Sequence, residues 1–265
     1  MDELAAALAF DRGLRARAAR ETIELPEGLV VLHEELPRLR YLNALILDAP
    51  LPASFGAGSL AGLADVRLGH LRHRHVVVDD GPAAERLAPA LLRDGWSMER
   101  TLYMSWRREP DRPPRPGVGR EISEPEIRKL QAEIYGEDPE SASPVASALI
   151  ATLVAGQDAV RASTTALCFG AGEGDAMSAS CTLFLERADG HGGIAMVDEV
   201  GTLIAHRRRG LGRAVVAAAL EAARRMRCAP ILVPADADDW PRKLYQRMGF
   251  EPLGMQVSFT LTPAR

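Results

Sequence analysis

The stretch from Val200 to Arg227 constrains the fold more than any other. It opens as a strand (Val200-Gly201-Thr202-Leu203-Ile204), passes through Ala205-His206-Arg207-Arg208-Arg209-Gly210-Leu211-Gly212-Arg213, and continues into an Ala-rich segment. In that segment Val216, Leu220 and Ala223 recur at i, i+4 and i+7, the period of a helix with one apolar face. The first turn of a helix carries amide N–H groups without intrahelical partners. Their aligned dipoles act like about half a positive charge. Two glycines without Cβ atoms let an anion approach the backbone, and three arginines and a histidine add positive potential. A strand that turns through glycines into a helix is therefore a ready phosphate site.

The ligand class is narrowed by what the turn lacks. A nucleoside-triphosphate loop needs Gly-Lys-Ser/Thr, and Arg213-Ala214 stands there instead. A dinucleotide fingerprint needs a third glycine near position 215, which is Val. Downstream, Pro230–Val233 reads as a short strand, Asp236-Ala237-Asp238-Asp239 as a turn and helix start, and Met255–Leu261 as a last strand. Between them stands Leu244-Tyr245-Gln246-Arg247-Met248-Gly249-Phe250. Arg207-x-x-Gly210-x-Gly212 after a strand, followed in order by this Leu-Tyr-x-x-x-Gly-Phe run, resembles the GNAT acyl-CoA N-acyltransferases. The resemblance is most specific over 193–261 and extends back, more weakly, to about residue 120.

The resemblance implies an α/β fold, with a mixed twisted sheet and flanking helices. It implies transfer of an acetyl or other short acyl group from acetyl-CoA, as cosubstrate, to a small-molecule or peptide amine by direct attack. Main-chain N–H groups across Arg208, Arg209, Gly210, Leu211, Gly212 and Arg213 would hold the coenzyme's pyrophosphate, with Arg207, Gly210 and Gly212 as the matched positions. The side chains of Arg208 and Arg209 could equally be solvated. The backbone of Val200, Gly201 and Thr202 would run along the pantetheine arm as an added strand does, and an N–H near Val200 would polarise the thioester carbonyl. Ile204 replaces the family's usual proline. Tyr245 matches the tyrosine that donates a proton to the departing sulfur; a phenol of pKa about 10 faces a thiol of about 8.5. Asp198 and Glu199 occupy the acidic position from which a base would act. Neighbours on a strand face opposite sides, and Glu199 is the favoured one. Both could instead be structural. Asp238 stands where the family commonly has Asn, and reads as a helix cap, as does Asp239.

The rest of the chain adds organisation. Its 265 residues suit one large or two modest domains. Residues 2–20 read as a helix, Gly28–His33 and Tyr41–Leu47 as strands, and Leu51–Leu68 as a loop and short helix. His75–Asp79 reads as a buried strand, Ala84–Arg93 as a helix and Arg100–Trp106 as a strand. Val76-Val77-Val78, helix, Gly95-Trp96, strand parallels Ile231-Leu232-Val233, helix, Gly249-Phe250, strand. Asp80 to Gly95 spans 15 residues and Asp236 to Gly249 spans 13. No Arg-x-x-Gly-x-Gly precedes Val76, and Leu91 holds the place of Tyr245. The expected division is an N-terminal helix (1–24), a degenerate second copy of the domain (25–108), a Pro-rich linker (109–119) and a catalytic domain (120–265). In the last, Glu124–Tyr135 and Ser143–Val154 read as helices.

Other functions fit poorly. A net charge of −4 gives no general pull toward nucleic acid or anionic membrane, and no stretch of 18 apolar residues implies a span. Met-Asp-Glu is the wrong start for a secretory signal, so a cytoplasmic location is the expectation. Cys168, Cys181 and Cys228 are too scattered for a disulfide framework or zinc site. His70, His73 and His75 interleave with Arg72 and Arg74, which would oppose a metal cation, so no metal is expected. Gly170-x-Gly172-x-Gly174 carries Glu173 and Asp175, which would repel phosphate, and reads as a hairpin connection. The alternative to an enzyme is a non-catalytic acyl-CoA-binding regulatory module. Retention of Tyr245 favours catalysis.

Overall fold

The computed structural model describes residues 2–48, 50–113, 117–137, 144–173, 176–188 and 191–263. The chain divides into two compact units. The first holds Met1–Leu102, Asp236–Asp238 and Gly254–Arg265; the second holds Tyr103–Ala235 and Asp239–Leu253. The expected linker residues Pro114 and Pro116, the helix start Ser143, and Gly174-Asp175 lie outside the described residues.

The first unit opens with α1 (Glu3–Ala18), whose N-cap Asp2 accepts a hydrogen bond from the Leu4 amide at 3.0 Å. Strands β1 (Glu21–Leu25), β2 (Gly28–Leu32) and β3 (Ala44–Leu47) follow as an antiparallel run, and β4 (Arg74–Val78) lies parallel to β3. The last strand of the chain, β11 (Phe250–Leu261), belongs to this unit from Gly254 onward. There it pairs antiparallel with β4, Phe259 opposite Val76. Helices α2 (Ala57–Leu68) and α3 (Gly81–Arg93) and strand β5 (Ser97–Trp106, in this unit to Leu102) complete it.

Period-two alternation sorts the apolar residues. Val30, Leu45, Leu47, Val76 and Val78 join Leu60, Leu68, Leu87 and Leu91 of α2 and α3 in one core. Leu29, Val31, Ile46 and Val77 face the other way, with Ala16 of α1. Covering both faces is why β3 and β4 read as unbroken apolar runs. Each fully buried Val or Leu contributes about 1.5–3 kcal/mol.

The second unit contains β6 (Gly119–Ile122), α4 (Glu124–Gly136), α5 (Pro144–Ala162), β7 (Thr165–Glu173), β8 (Ala176–Ala188), β9 (His191–Thr202), α6 (Leu211–Arg225), β10 (Ile231–Asp236, to Ala235 in this unit), α7 (Pro241–Arg247) and the start of β11. The strands lie in the order β6-β7-β8-β9-β10, antiparallel except for β9 beside β10. Ser123 and Glu126 close a capping box at the start of α4. Helix α6 packs on β6 to β9, and α4 packs on α5 and on β7 to β9. The glycine-rich stretch at 170–174 belongs to the antiparallel β7–β8 pair, with Glu173 opposite Ala176. Asp238 and Asp239 do not cap α7, whose N-cap is Trp240. Asp238 instead holds Arg100 within the first unit, at 2.7 and 3.3 Å, and Asp239 accepts from the Trp240 amide.

The imidazoles of His73, just before β4, and His75, within it, are structural. His73 contacts the Asn43 carbonyl at 3.2 Å, and His75 Nδ1 contacts Thr260 Oγ1 at 2.9 Å. Burial, helped by Arg15, His73 and Arg40, pushes His75 down to about 3. The unfolded chain then binds a proton that the folded chain refuses. Stability contributed by this residue is complete above its ordinary pKa of about 6.5 and falls as pH drops toward 3, by up to about 1.4 kcal/mol per unit. Denaturant unfolding of the wild type and of His75→Asn between pH 4 and 8 should show that difference, with the variant flatter.

Candidate functional site

The site begins with one extra residue. Strands β8 and β9 pair in register with Thr182 opposite Asp198, then resume with Ser180 opposite Gly201. Glu199 and Val200 therefore stand against Cys181 alone, which is a β-bulge. Glu199 has φ of 56°, a left-handed conformation that a non-glycine residue adopts only when its surroundings impose it. On its other edge β9 pairs with β10 only at Ala195–Ile231 and Met196–Leu232. Beyond Met196, ahead of the bulge, the two parallel strands share no further pairs among the described residues. A parallel pair that parts in mid-strand leaves main-chain N–H and C=O groups available to an extended ligand.

What imposes the bulge is a buried ion pair. Glu199 Oε2 accepts from Arg161 Nη1 at 2.7 Å, Gln131 Nε2 at 3.0 Å and Thr182 Oγ1 at 2.5 Å. Arg161, 2% exposed in its side chain, also donates to Asp158 at 2.6 Å and to Gln131 Oε1 at 3.0 Å. The donors come from α4, α5 and β8, so three elements converge on one carboxylate oxygen. Oε1 has no partner among the described residues, and the side chain keeps 10% exposure. Burial pushes the Glu199 carboxyl up, while Arg161 and the hydrogen bonds oppose the rise. Nearby, Tyr135 accepts from Gln157 Nε2 at 2.5 Å, and burial with the Glu199 charge pushes its phenol up to about 12.

Tyr245 is 5% exposed and meets the Phe250 ring edge-on, 6.0 Å between centroids. Burial raises its phenol well above the ordinary value, and the Asp198 carboxylate and Cys181 thiol add to the rise. Asp198 precedes the bulge and Cys181 stands opposite it. Its hydroxyl has no hydrogen-bond partner among the described residues. Asp198 accepts from the Glu199 amide at 2.6 Å. Gly249, after α7, has φ of 92°, and a Cβ there would fall 1.8 Å from the Arg108 carbonyl oxygen. That is why the run ends in Gly-Phe: only glycine lets the chain turn back and bury Phe250, which is 1% exposed. The thiols do not supply a nucleophile. Burial raises Cys168 to about 11 and Cys181 well above its ordinary value.

The turn after β9 completes the site. Gly210, with φ of 83°, is the N-cap of α6. No atom lies within 4 Å of where its Cβ would be. Ala214 donates to the Gly210 carbonyl at 3.0 Å, and the amides of Leu211, Gly212 and Arg213 have no acceptor among the described residues. His206 Nδ1 is shut from solvent, also without a partner among them. The arginines differ in role. Arg207 folds back onto the Thr202 carbonyl at 3.2 Å, Arg209 approaches Glu173 at 3.7 Å, Arg213 reaches the Arg112 carbonyl at 3.0 Å, and Arg208, exposed with φ of 62°, has no partner among the described residues. A Cβ at Gly201 would press on Ile134 at 3.0 Å.

The profile of the acetyltransferase (GNAT) family matches residues 126–250. Those residues form a GNAT domain. No curated protein matches the sequence. Among solved structures, a GCN5-related N-acetyltransferase from Kribbella flavida is similar over 100% of this chain and 97% of its own, with a TM-score of 0.62 and 20% identity. A functionally unknown conserved protein from Staphylococcus epidermidis covers 91% of this chain and 93% of its own, with a TM-score of 0.65 and 12% identity. A tandem GNAT protein from the clavulanic acid biosynthesis pathway covers 93% of this chain and 86% of its own, with a TM-score of 0.53 and 14% identity. The chain thus has the fold of two GNAT copies in tandem.

The first copy keeps the GNAT scaffold without the opening. Gly95 has φ of 86° after α3, as Gly249 does after α7, and buries Trp96 as Gly249 buries Phe250. Yet β3 and β4 stay paired through Leu47–Val78, and the Asp79 amide still donates to the Leu47 carbonyl. Sequence reasoning found Glu199 and Tyr245 but not Arg161, Gln131 or Thr182. The visible hint was a lone arginine in an otherwise small and apolar α5. Removing the cation while leaving Glu199 buried costs about 3–5 kcal/mol. Chemical denaturation of Arg161→Met should register a loss of that order, and Arg161→Lys should lose less.

Proposed function

We propose that the protein is an N-acetyltransferase that moves an acetyl or other short acyl group from acetyl-CoA to a primary amine by direct attack. The observation that carries the reading is the parting of β9 from β10 after Met196–Leu232, ahead of the Glu199 bulge and of α6 amides that have no acceptor among the described residues. Acyl transfer is the chemistry of the GNAT family. The chain's own groups suit an acyl-CoA. The α6 amides and the Arg208 side chain would hold the pyrophosphate, with Arg207, Arg209 and Arg213 raising the local potential. The parted edge of β9, at Val200, Gly201 and Thr202, would pair with the amide-bearing pantetheine arm and hold the thioester carbonyl.

The acceptor nitrogen forms its bond to the acyl carbon, and the carbon–sulfur bond breaks. Glu199 Oε1 accepts the proton lost by nitrogen, directly or through water. Its sister oxygen is tethered by Arg161, so the free oxygen keeps a fixed aim. Tyr245 gives its proton to sulfur as negative charge develops there; burial keeps that phenol protonated until then. Elevated thiol pKa values at Cys168 and Cys181 favour direct attack over an acyl-enzyme. A small-molecule or peptide amine in a cytoplasmic setting fits this reading. No described helix is long and apolar enough to cross a membrane.

Asp198, next to Glu199 in the chain, is the competing base, and kinetics separates the two. Tyr245→Phe should lower kcat by about 10²- to 10⁴-fold while coenzyme A affinity, measured calorimetrically, changes little. Glu199→Gln should remove the acidic limb of the pH–rate profile, and Asp198→Asn should retain it. A protein that binds coenzyme A but releases no thiol with any amine would be the regulatory module instead.

A further inference from the structure

The first unit contains a pocket of about 900 Å³ that the acyl-transfer reading does not use. All of its walls belong to that unit. Its apolar lining comes from Leu4, Ala88, Leu92, Met98, Met255 and Val257. Leu92 and Met255 are each 47% exposed, an unusual amount of apolar surface for positions that nothing else in the unit covers. The volume falls in the range of pockets that hold small organic ligands, about 300–1,000 Å³.

The charges at the pocket are mostly acidic. Asp79, Asp80 and Glu85 line it, against Arg100 alone. Arg100 is already neutralised by Asp238 through two hydrogen bonds, at 2.7 and 3.3 Å. The start of α3 also offers no anion site. Asp80 occupies it, accepting from the Ala83 amide at 3.0 Å and from the Leu51 amide at 3.1 Å, and Pro82 has no N–H. Asp79 differs from Asp80. Its Oδ1 accepts from Gln256 Nε2 at 2.7 Å, while Oδ2 has no partner among the described residues. Burial pushes this carboxyl above its ordinary range, opposed by the Gln256 hydrogen bond, raised further by Asp11 and lowered by Arg12 and Arg15, and a bound cation would offset the cost of burial.

We propose that this pocket is a binding site for an organic ammonium ligand with a hydrophobic body, its charged nitrogen hydrogen-bonded to Asp79 Oδ2 and its hydrocarbon against Leu92, Met98 and Met255. The unit that has lost the acyl-donor opening thus retains a ligand site of its own. The site is independent of Tyr245 and Glu199.

The test uses the full chain without any acyl donor, and 4-phenylbutylamine and 4-phenylbutanoate as probes of matched hydrocarbon and opposite charge. Isothermal titration should show the amine binding at least tenfold more tightly than the carboxylate. Asp79→Asn, which keeps an acceptor for Gln256, should weaken the amine at least tenfold. Ala88→Trp should block the pocket, and Leu92→Arg, at a half-exposed position, should repel the amine if the tryptophan variant fails to fold. Equal affinity for the two probes, or amine binding unaltered by the Asp79 and pocket variants, overturns the proposal. Amine binding that is lost instead in Glu199→Gln and kept in Leu92→Arg would place the ligand at the acceptor site; it too overturns the proposal and leaves the acyl-transfer reading standing.

Discussion

One buried ion pair holds the second unit in its working shape. A parallel strand pair gains a hydrogen bond at nearly every step, so β9 and β10 have every reason to stay together to their ends. Their last pair among the described residues is Met196–Leu232, and three residues further on Glu199 is inserted as an extra residue in a left-handed conformation, held by Arg161, Gln131 and Thr182. Taking both charges out of water is expensive, and their attraction repays it only with good geometry and satisfied neighbours. Here the arginine is shared with Asp158 and Gln131, so the network is well supplied with partners. Its contribution is better described as specifying one backbone path than as adding stability. An apolar pair of the same volume would fill the space and leave the bulge with nothing to hold it.

The two copies make the point by contrast. Both place a strand, a helix, a glycine at positive φ and a buried aromatic in the same order. Those features serve packing, and packing is what the first copy still needs. It lacks a bulge between β3 and its neighbours, and β3 stays paired to β4. With no parted edge there is no use for a phosphate turn ahead of α2, and none is found there.

How much of this was legible in the sequence follows from the range of the forces involved. The α6 junction was plain because its signals are local: a strand, glycines and a helical period within about thirty residues. Val216, Leu220 and Ala223 are buried as their spacing required. Gly249 was marked by its neighbours, and the Arg108 carbonyl supplies the reason. Strand β1 was passed over, although Thr22-Ile23-Glu24-Leu25 alternates, because two of its five residues are acidic and it sits at a sheet edge. The inward turn of Arg161 was not legible, although it was the one arginine of α5. Its partner is 38 residues away in sequence, and nothing in an Ala-rich helix distinguishes an arginine that snorkels outward from one that turns inward. The fate of Asp238 was misjudged for a similar reason. Arg100, which holds it, is 138 residues upstream. Nor could composition reveal that β11 passes from one unit to the other at Gly254, since an apolar strand reads the same in either sheet.

The ionisable groups around the bulge are separated by their partners rather than by their depth. Glu199 and Tyr245 are both deeply buried, and burial raises both. Glu199 has a guanidinium and two further donors that favour its charged form. Tyr245 has only the Asp198 carboxylate and a buried thiol nearby, both of which favour its neutral form. Under the proposed function the carboxylate would accept a proton and the phenol would keep its own until a negative charge appears next to it. Amine acylation needs that pairing, because a proton must leave nitrogen on one side of the acyl carbon while another reaches sulfur on the other. The bulge supplies the geometry as well. It breaks the alternation of β9 at Glu199, whose carboxylate turns to donors on α4, α5 and β8 while the Asp198 carboxylate accepts from the Glu199 amide.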